Sequence, residues 1–168
     1  MQLYYIDPVI SPLPCQVMLG TEESFHCIKV MRMKSGDTIH LTDGTGHLYT
    51  GTIAAENVKS CAVLLNSVES DHKKRTIKLH LGVAPTKNPA RYEWFLEKAT
   101  EIGIDEITPI ICQYSERNTL RLDRLQKVIL SAAKQSVKTI LPKLNEPISF
   151  QKFITLNHPP QRFVCYVE

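Results

Sequence analysis

The sequence contains no uninterrupted apolar run of about 18 residues, the length that a membrane-spanning helix would need. Its first residues, Met1 to Asp7, lack the basic and apolar regions of a secretory signal peptide. Its five cysteines are widely spaced and contain no C-x-x-C pair. These absences argue against a membrane protein, a disulfide framework and a cysteine zinc site. They favour a protein of the reducing cytoplasm with free thiols.

Short catalytic and cofactor-binding motifs are absent too. The sequence has no G-x-G-x-x-G, no G-x-x-x-x-G-K-[ST], no H-E-x-x-H and no G-x-S-x-G. A nucleotide-dependent oxidoreductase is disfavoured, because no glycine-rich phosphate loop follows the apolar run at residues 76–84. The six histidines have no metal-ligand spacing, so we predict no metal site and expect His80 to be a structural histidine.

The chain does contain enough apolar residues for a packed core. Its 168 residues are 43% hydrophobic, which suits one domain or two small ones. The net charge is +3, and the basic excess lies in residues 76–168, with 13 Lys and Arg against 9 Asp and Glu. Mild basicity of this kind permits nucleic-acid binding without requiring it.

Residues 1–70 are predicted to form a small β-rich module, a compact barrel or curled sheet. The predicted strands are residues 2–6, 38–42, 47–55 and 60–68, with a hairpin turn at residues 43–46. Thr21 is predicted to be the N-cap of a short helix that ends within residues 34–37. The helix carries Lys29 and Arg32, which suit phosphate contact, and His26, which either binds RNA or has a capping or packing role.

Residues 71–75 are a predicted linker within a stretch that has no apolar side chain, and residues 76–168 form the second module. Lys73, Lys74 and Arg75 are either a solvated linker or a hinge that contacts phosphates between two RNA-gripping surfaces.

The second module begins with a predicted β-α-β unit. An apolar run at residues 77–84 indicates a buried strand, and a second follows at residues 104–111. Between them Asn88 occupies the N-cap position of a helix, Pro89 its first position and Gly103 its C-terminal end. The spacing predicts that one helix face is buried, with Tyr92, Phe95, Leu96, Ala99 and Ile102 on it. The order and lengths predict a parallel crossover.

A long helix is predicted from Leu120 to Ile140, ended by Pro142. Its predicted buried stripe consists of Leu122, Leu125, Ile129, Ala132, Ala133, Ser136 and Ile140, and its opposite face of Arg124, Lys127, Ser131, Lys134 and Lys138. This basic face is either solvated surface or a phosphate contact. A further short helix is predicted at residues 148–156, and a third buried strand starts at Arg162.

Three stretches in series resemble the RsmE-type 16S ribosomal RNA (uracil-N(3))-methyltransferases of the SPOUT superfamily. Residues 26–37 are similar to the family's H-x-x-x-V-x-R-x-x-x-G-D, and residues 42–46 to its T-D-G-x-G. Lys87 and the run from Glu93 to Gly103 are similar to its lysine and E-x-x-x-x-K-A-T-E-L-G. Residues 132–142 are similar to A-x-x-Q-S-x-R-x-x-x-P, but Lys138 stands where many members carry arginine, which disfavours a bidentate contact there.

The resemblance implies an α/β protein with an N-terminal PUA-like β-barrel, followed by the first part of a SPOUT-type parallel α/β domain with a trefoil knot. It implies S-adenosylmethionine as cofactor, a homodimer when full length, and 16S rRNA of the small ribosomal subunit as partner in the cytoplasm. The family's cofactor loops, of the G-P-E-G-G and L-G-x-R-I-L-R-x-E-T types, have no counterpart here. They are expected beyond Glu168, so we expect a truncated chain that is inactive by itself and holds no cofactor-binding residue.

The implied reaction is methylation of N3 of a uridine, and the alternative is a non-catalytic RNA-binding protein that uses the barrel and the basic helix. Lys87 and Arg117 are the candidate catalytic residues, because each lies in a loop that follows a predicted strand. Glu101 is expected to make structural contacts with Lys98. The predicted RNA-binding residues are His26, Lys29, Arg32, Lys34, Lys73, Lys74 and Arg75.

Overall fold

A computed structural model of the chain describes residues 1–70, 76–116, 119–156 and 161–165. Two sheets of different type organise these residues. The first is mainly antiparallel and the second parallel, and each has its own hydrophobic core. The predicted order, a β-rich module followed by a parallel α/β module, is confirmed. Among the described residues, no helix has the length and apolar content that a bilayer crossing requires.

The first sheet has five strands in the order β1-β3-β4-β5-β2. They are β1 Leu3–Tyr5, β2 Cys15–Met18, β3 Thr38–Thr42, β4 Leu48–Ala55 and β5 Ala62–Glu69. Three form a meander, because a glycine-containing turn joins β3 to β4 and the short loop at residues 56–61 joins β4 to β5, both antiparallel. The completely buried side chains of Leu41, Val63 and Leu65 lie at the centre of its core. Strand β2 follows a proline-rich stretch at residues 7–14 and was not predicted.

The helix of the first module is shorter than predicted. Helix α1 spans Thr21–Phe25 and runs directly into a π-helical turn, His26–Val30. The predicted N-cap was wrong, because Gly20 holds that position without a side-chain bond and Thr21 is already helical. The helical segment ends before residue 34 because Arg32 adopts a left-handed backbone conformation with φ +56°.

The predicted β-α-β crossover is present. Strands β6 His80–Val83 and β7 Glu106–Ile111 pair in parallel, and helix α2 Pro89–Ile102 connects them. Asn88 Oδ1 accepts a hydrogen bond from the Ala90 N–H at 3.0 Å, and Gly103 ends the helix with φ +93°. Both terminal signals in the sequence therefore act as predicted.

Two details of this unit differ from the prediction. Strand β6 begins at His80, three residues later than the predicted start at residue 77. The side chains of Ile77 and Leu79, which precede it, are exposed. Ile102 is 62% exposed, although it was placed on the buried face. The buried stripe of α2 passes through Tyr92, Leu96, Ala99 and Thr100, and Ile102 lies about a quarter turn away from it.

Helix α3 spans Leu122–Gln135 and packs against α2, so the prediction that it continues to Ile140 was wrong. It stops because Val137 takes φ +54°, a conformation that ends a helix, while the Lys138 N–H bonds the Ala133 carbonyl at 2.8 Å. Ile140 instead forms an isolated β-bridge with Thr45 of the first module.

After α3 the chain adds two short strands to β7. Strands β8 Lys143–Leu144 and β9 Ile148–Ser149 both pair with it in parallel, and helix α4 Phe150–Thr155 follows. Helix α4 thus begins two residues later than the helix predicted at residues 148–156. The prediction of a buried strand from Arg162 was wrong for the described residues 161–165. They pair with no strand of the described chain, and the side chains of Phe163 and Val164 are exposed. Residues 166–168 lie outside the described residues.

Candidate functional site

Three of the predicted RNA-binding cations lie close together on the surface of the first module. Lys29 is in the π-helical turn, and Arg32 and Lys34 follow it; all three are exposed. The turn beyond them is held by the Lys34 backbone N–H, which donates to Asp37 Oδ2 at 2.8 Å. Their side chains form no ion pair with any described residue, so their charges face solvent. The predicted contacts Lys73, Lys74 and Arg75 lie outside the described residues.

His26 differs from these three cations, because it is half-buried. Its ring packs against Tyr4 of β1 at a centroid distance of 5.8 Å. Its Nδ1 atom is buried and has no hydrogen-bond partner in the described part of the chain. The geometry therefore favours the packing role for this histidine, which then supports the cationic turn from below.

The basic face of α3 is largely used inside the molecule. Lys134 Nζ pairs with Glu23 Oε1 of α1, and both side chains are mostly buried. Lys127 Nζ lies 4.0 Å from Glu22 Oε1, and Arg124 Nε lies 2.7 Å from Glu93 Oε1 of α2. These partners occupy Lys134 and Arg124, two of the cations that the sequence offered for phosphate contact, whereas Lys127 is 75% exposed beside a 92% exposed Glu22. The face therefore serves mainly to attach α3 to its neighbours.

The turn at residues 42–46 and the segment 139–141 connect the two modules, and we call them the junction. Thr42 Oγ1 and the Gly46 N–H both donate to the Thr139 carbonyl, at 3.2 and 2.9 Å. The Leu141 N–H donates to the Gly44 carbonyl at 2.8 Å. The glycine-rich turn that the sequence showed only as a hairpin is thus also the docking surface for the second module.

Asp43 holds the turn of the junction in shape. Its buried carboxylate accepts hydrogen bonds from the Thr45 N–H at 2.9 Å, the Thr45 hydroxyl at 2.7 Å and the Tyr49 hydroxyl at 3.1 Å. His47 Nδ1 lies 2.7 Å from its Oδ2 atom. Burial alone would raise the pKa of Asp43, but these bonds outweigh it and lower the pKa below the usual value. Burial and the bond to Asp43 raise the pKa of Tyr49 to about 12.

The candidate catalytic residue Lys87 lies in the loop between β6 and α2. Its side chain is 82% exposed, and its Nζ atom lies 2.9 Å from Glu116 Oε2 in the loop after β7. The pair therefore links the two loops at the carboxyl edge of the parallel sheet, the edge where open α/β sheets bind ligands. Arg117, the second candidate, lies outside the described residues. Sequence reasoning missed Glu116, because no local pattern marks it as the partner of Lys87.

A cleft of about 100 Å³ lies between the first turns of α2 and α3. Its lining consists of Pro89, Tyr92, Glu93, Leu120, Arg121, Arg124 and Leu125. Tyr92 is only 2% exposed, and its hydroxyl has no hydrogen-bond partner among the described residues. Burial raises the pKa of Tyr92 strongly, so the hydroxyl stays protonated and can donate. Sequence reasoning placed Tyr92 on the buried face but could not reveal its unpaired hydroxyl.

Two other polar groups of the second module make contacts within it. Lys98 Nζ donates to Glu101 Oε1 at 2.9 Å and to Glu97 Oε1 at 2.8 Å along the surface of α2. His80 Nε2 lies 2.8 Å from the Thr108 hydroxyl oxygen of the neighbouring strand, and its ring meets Phe153 edge-on. Neither group lies among the residues that line the cleft.

Comparison with known proteins gives two matching families. A model of an RNA methyltransferase domain matches residues 72–168, and a model of an RNA methyltransferase PUA domain matches residues 19–65. Ribosomal RNA small subunit methyltransferase E of Bacillus subtilis is 25% identical over 92% of this chain and 63% of its own length.

Solved structures are similar over nearly the whole described fold. A probable rRNA-methyltransferase from Porphyromonas gingivalis is 36% identical with a TM-score of 0.84, covering 95% of this chain and 65% of that one. Ribosomal RNA small subunit methyltransferase E from Neisseria gonorrhoeae, bound to S-adenosyl methionine, has the same fold at 22% identity, with a TM-score of 0.80 over 95% and 66% of the two chains. The chain spans about half to two thirds of the length of such relatives.

Proposed function

Because the chain belongs to the RNA methyltransferase family that these domain models describe, we propose that the protein, in its full-length form, methylates N3 of a uridine in 16S ribosomal RNA with S-adenosylmethionine. The observation that carries the proposal is the combination of a PUA-type sheet bearing exposed cations and a parallel β-α-β unit in one chain. The names of relatives such as the Bacillus subtilis methyltransferase support the substrate. We further propose that it works in the cytoplasm on the small ribosomal subunit, as a homodimer.

The reaction makes two demands on the protein. N3 of uracil lies on the base-pairing edge, so the base must be presented unpaired. N3 also carries a proton at neutral pH, which must leave for the nitrogen to act as a nucleophile. Holding the base and the methyl group in line supplies much of the rate gain, because it replaces an encounter in solution by a fixed geometry.

Lys87 is our candidate for easing the loss of the N3 proton. A cation near O2 or O4 of uracil stabilises the negative charge that develops there and so lowers the pKa of N3. The Lys87–Glu116 pair is exposed, and exposed ion pairs contribute only about 0–1 kcal/mol. Lys87 can therefore exchange Glu116 for a substrate oxygen at little cost. We propose Arg117, next to Glu116 in sequence, as the second cation.

The exposed cations of the first module are proposed to bind the phosphates of the rRNA. Among the described residues, none pairs with the side chains of Lys29, Arg32 and Lys34. Phosphate can therefore bind these cations without displacing a carboxylate of the described chain. Lys73, Lys74 and Arg75 are proposed as further phosphate contacts. We assign His26 a supporting role beneath Lys29, because its ring packs on Tyr4.

The cleft beside α2 does not fit S-adenosylmethionine. Its volume is about 100 Å³, far below the roughly 300–1,000 Å³ of sites for ligands of that size. When bound, the cofactor supplies an electrophilic methyl group. We assign none of the described residues to hold it, and the contribution of this chain is to bind and orient the RNA.

The proposal is tested by deleting the gene in the organism that carries it. We expect nucleosides from digested 16S rRNA to lose 3-methyluridine in mass spectrometry, because no other group would then be positioned to methylate that base. The intact gene should restore the signal, and a Lys87→Ala gene should restore little of it. An unchanged 3-methyluridine level after deletion would refute the enzyme and leave the non-catalytic RNA-binding protein.

A further inference from the structure

The segment from α1 through the π-helical turn exposes large apolar side chains among its cations. Phe25 is 53% exposed, Val30 56% and Met31 45%. Apolar side chains of this size that face water next to one another mark an interaction surface more often than scattered single ones do. The neighbouring cations Lys29 and Arg32 are exposed as well.

The π-helical geometry brings these side chains together. The Met31 N–H donates to the His26 carbonyl at 2.9 Å, so this turn joins residues five apart instead of the four of an α-helix. Phe25 therefore lies about one helical turn from Lys29 and Val30, and all three side chains are exposed, whereas Ser24 and Cys27 are buried. π-Helical turns occur frequently at functional sites.

The backbone at Arg32 gives an independent indication. Its φ of +56° is unusual for a residue other than glycine, asparagine or aspartate. Such conformations are unfavourable and cluster at ligand-binding positions. Arg32 directly follows Met31, so the unusual conformation lies at the edge of the exposed apolar group.

The charges around Phe25 favour a polyanion. Of the two acids of α1, Glu23 pairs with Lys134, whereas Glu22 is 92% exposed and has the cation of Lys127 at 4.0 Å. Asp37 accepts from the Lys34 backbone N–H. The surface around Phe25 therefore has an excess of positive charge, from Lys29 and Arg32.

We propose that Phe25 is a stacking platform for an unpaired base of the RNA, and that Lys29 and Arg32 contact the phosphates beside that base. This inference rests on the proposed function, and it specifies which form of RNA the first module binds. An exposed aromatic ring within a cationic surface is the chemistry of single-strand recognition, because every base has a face that can stack. In a duplex the bases are stacked on one another, so no base face is free to stack on the Phe25 ring.

The test measures binding of this chain to a single-stranded 16S rRNA oligonucleotide and to a duplex of the same sequence, by fluorescence anisotropy over a salt series. We expect Phe25→Ala to weaken single-strand binding by roughly 5- to 150-fold, with the salt slope unchanged. Binding to the duplex should stay as in the wild type. Phe25→Trp should retain affinity, whereas Phe25→Leu, which keeps an apolar side chain without a ring system, should not.

Two controls separate this inference from the proposed function. Lys29→Ala should lower the salt slope for single-stranded RNA by about 0.7, because one phosphate contact is lost. Trp94→Ala, at an aromatic residue of α2 that is also exposed, should bind like the wild type.

The outcomes are distinct. If Lys29→Ala lowers the slope while Phe25→Ala binds normally, stacking is wrong and the phosphate-binding surface stands. If Phe25→Ala weakens single-strand and duplex binding equally, the ring does not stack on a base. If neither variant changes RNA binding, the first module does not grip RNA in this way, and a protein partner is the remaining occupant of the surface.

Discussion

Asp43 illustrates how a single residue stabilises this molecule through several neighbours. Its carboxylate is buried between β3 and β4, where an ionised group is stable only with hydrogen bonds. The N–H and hydroxyl of Thr45 and the hydroxyl of Tyr49 provide them. Because these donors favour the ionised form, the pKa of Asp43 is lower in the folded chain than in the unfolded one.

The lowered pKa predicts an acid-dependent stability. A carboxyl group whose pKa falls on folding stabilises the fold above its unfolded pKa, and this contribution is lost as the pH drops through the folded pKa. We expect Asp43→Asn to lower the free energy of unfolding at pH 7 by about 1.5–3 kcal/mol. Below about pH 4, the stability of the variant should fall less with decreasing pH than that of the wild type, measured as Tm against pH.

A matched comparison is Asp37→Asn, since Asp37 is exposed and makes its one described side-chain bond to the Lys34 N–H. Its Tm should change much less at pH 7. Equal effects of the two substitutions would show that the buried network around Asp43 does not stabilise the fold as described.

At the scale of elements, the junction decides how the two sheets meet. Strand β3 ends in the turn at residues 42–46, and α3 ends just before the segment 139–141 that docks on it. The ion pair between Lys134 of α3 and Glu23 of α1 adds a second connection. The first module is therefore fixed relative to the parallel sheet by three hydrogen bonds of the junction and one partly buried ion pair.

Gly44→Ala should weaken the junction. A Cβ at this position would lie 2.6 Å from Leu141 Cδ1, and the φ of +78° is unfavourable for alanine by about 1–2 kcal/mol. We expect lower stability and faster hydrogen exchange at the Leu141 amide, which bonds the Gly44 carbonyl.

Gly36→Ala provides the control for this prediction. Gly36 has a φ of +91°, but a Cβ there would meet nothing within 4 Å. It carries a similar backbone penalty without the contact, so exchange at Leu141 should stay slow in that variant. Equal exchange at Leu141 in both variants would mean that close packing at Gly44 does not hold the junction.

For the whole molecule, the arrangement predicts RNA binding without tight cofactor binding by residues 1–168. The cleft between the first turns of α2 and α3 is too small for S-adenosylmethionine, and the sequence has no counterpart of the family's cofactor loops. We expect calorimetry of this chain with S-adenosylmethionine to show no saturable binding at micromolar concentrations. The same preparation should bind the single-stranded rRNA oligonucleotide, which establishes that it is folded. Micromolar affinity for the cofactor would show that a complete pocket exists within these residues.

The sequence determined those features whose cause lies within one stretch of chain. The apolar pattern on either side of residues 89–102 specified the parallel crossover, and Asn88 and Gly103 specified the ends of α2, because capping is a local interaction. The hairpin turn at residues 43–46 followed from its glycines in the same way. The resemblance of three motifs to one family added the PUA-like and SPOUT-type character of the two modules, which no local pattern supplied.

Only the tertiary structure decided the features that need a partner from elsewhere in the chain. The basic face of α3 could have met phosphate, but Glu22 and Glu23 lie opposite it. The end of α3 before residue 140 and the pairing of Ile140 with Thr45 depend on a turn almost a hundred residues earlier. A side chain acquires its role from the atoms that surround it after folding, and sequence separation conceals those atoms until the modules have docked.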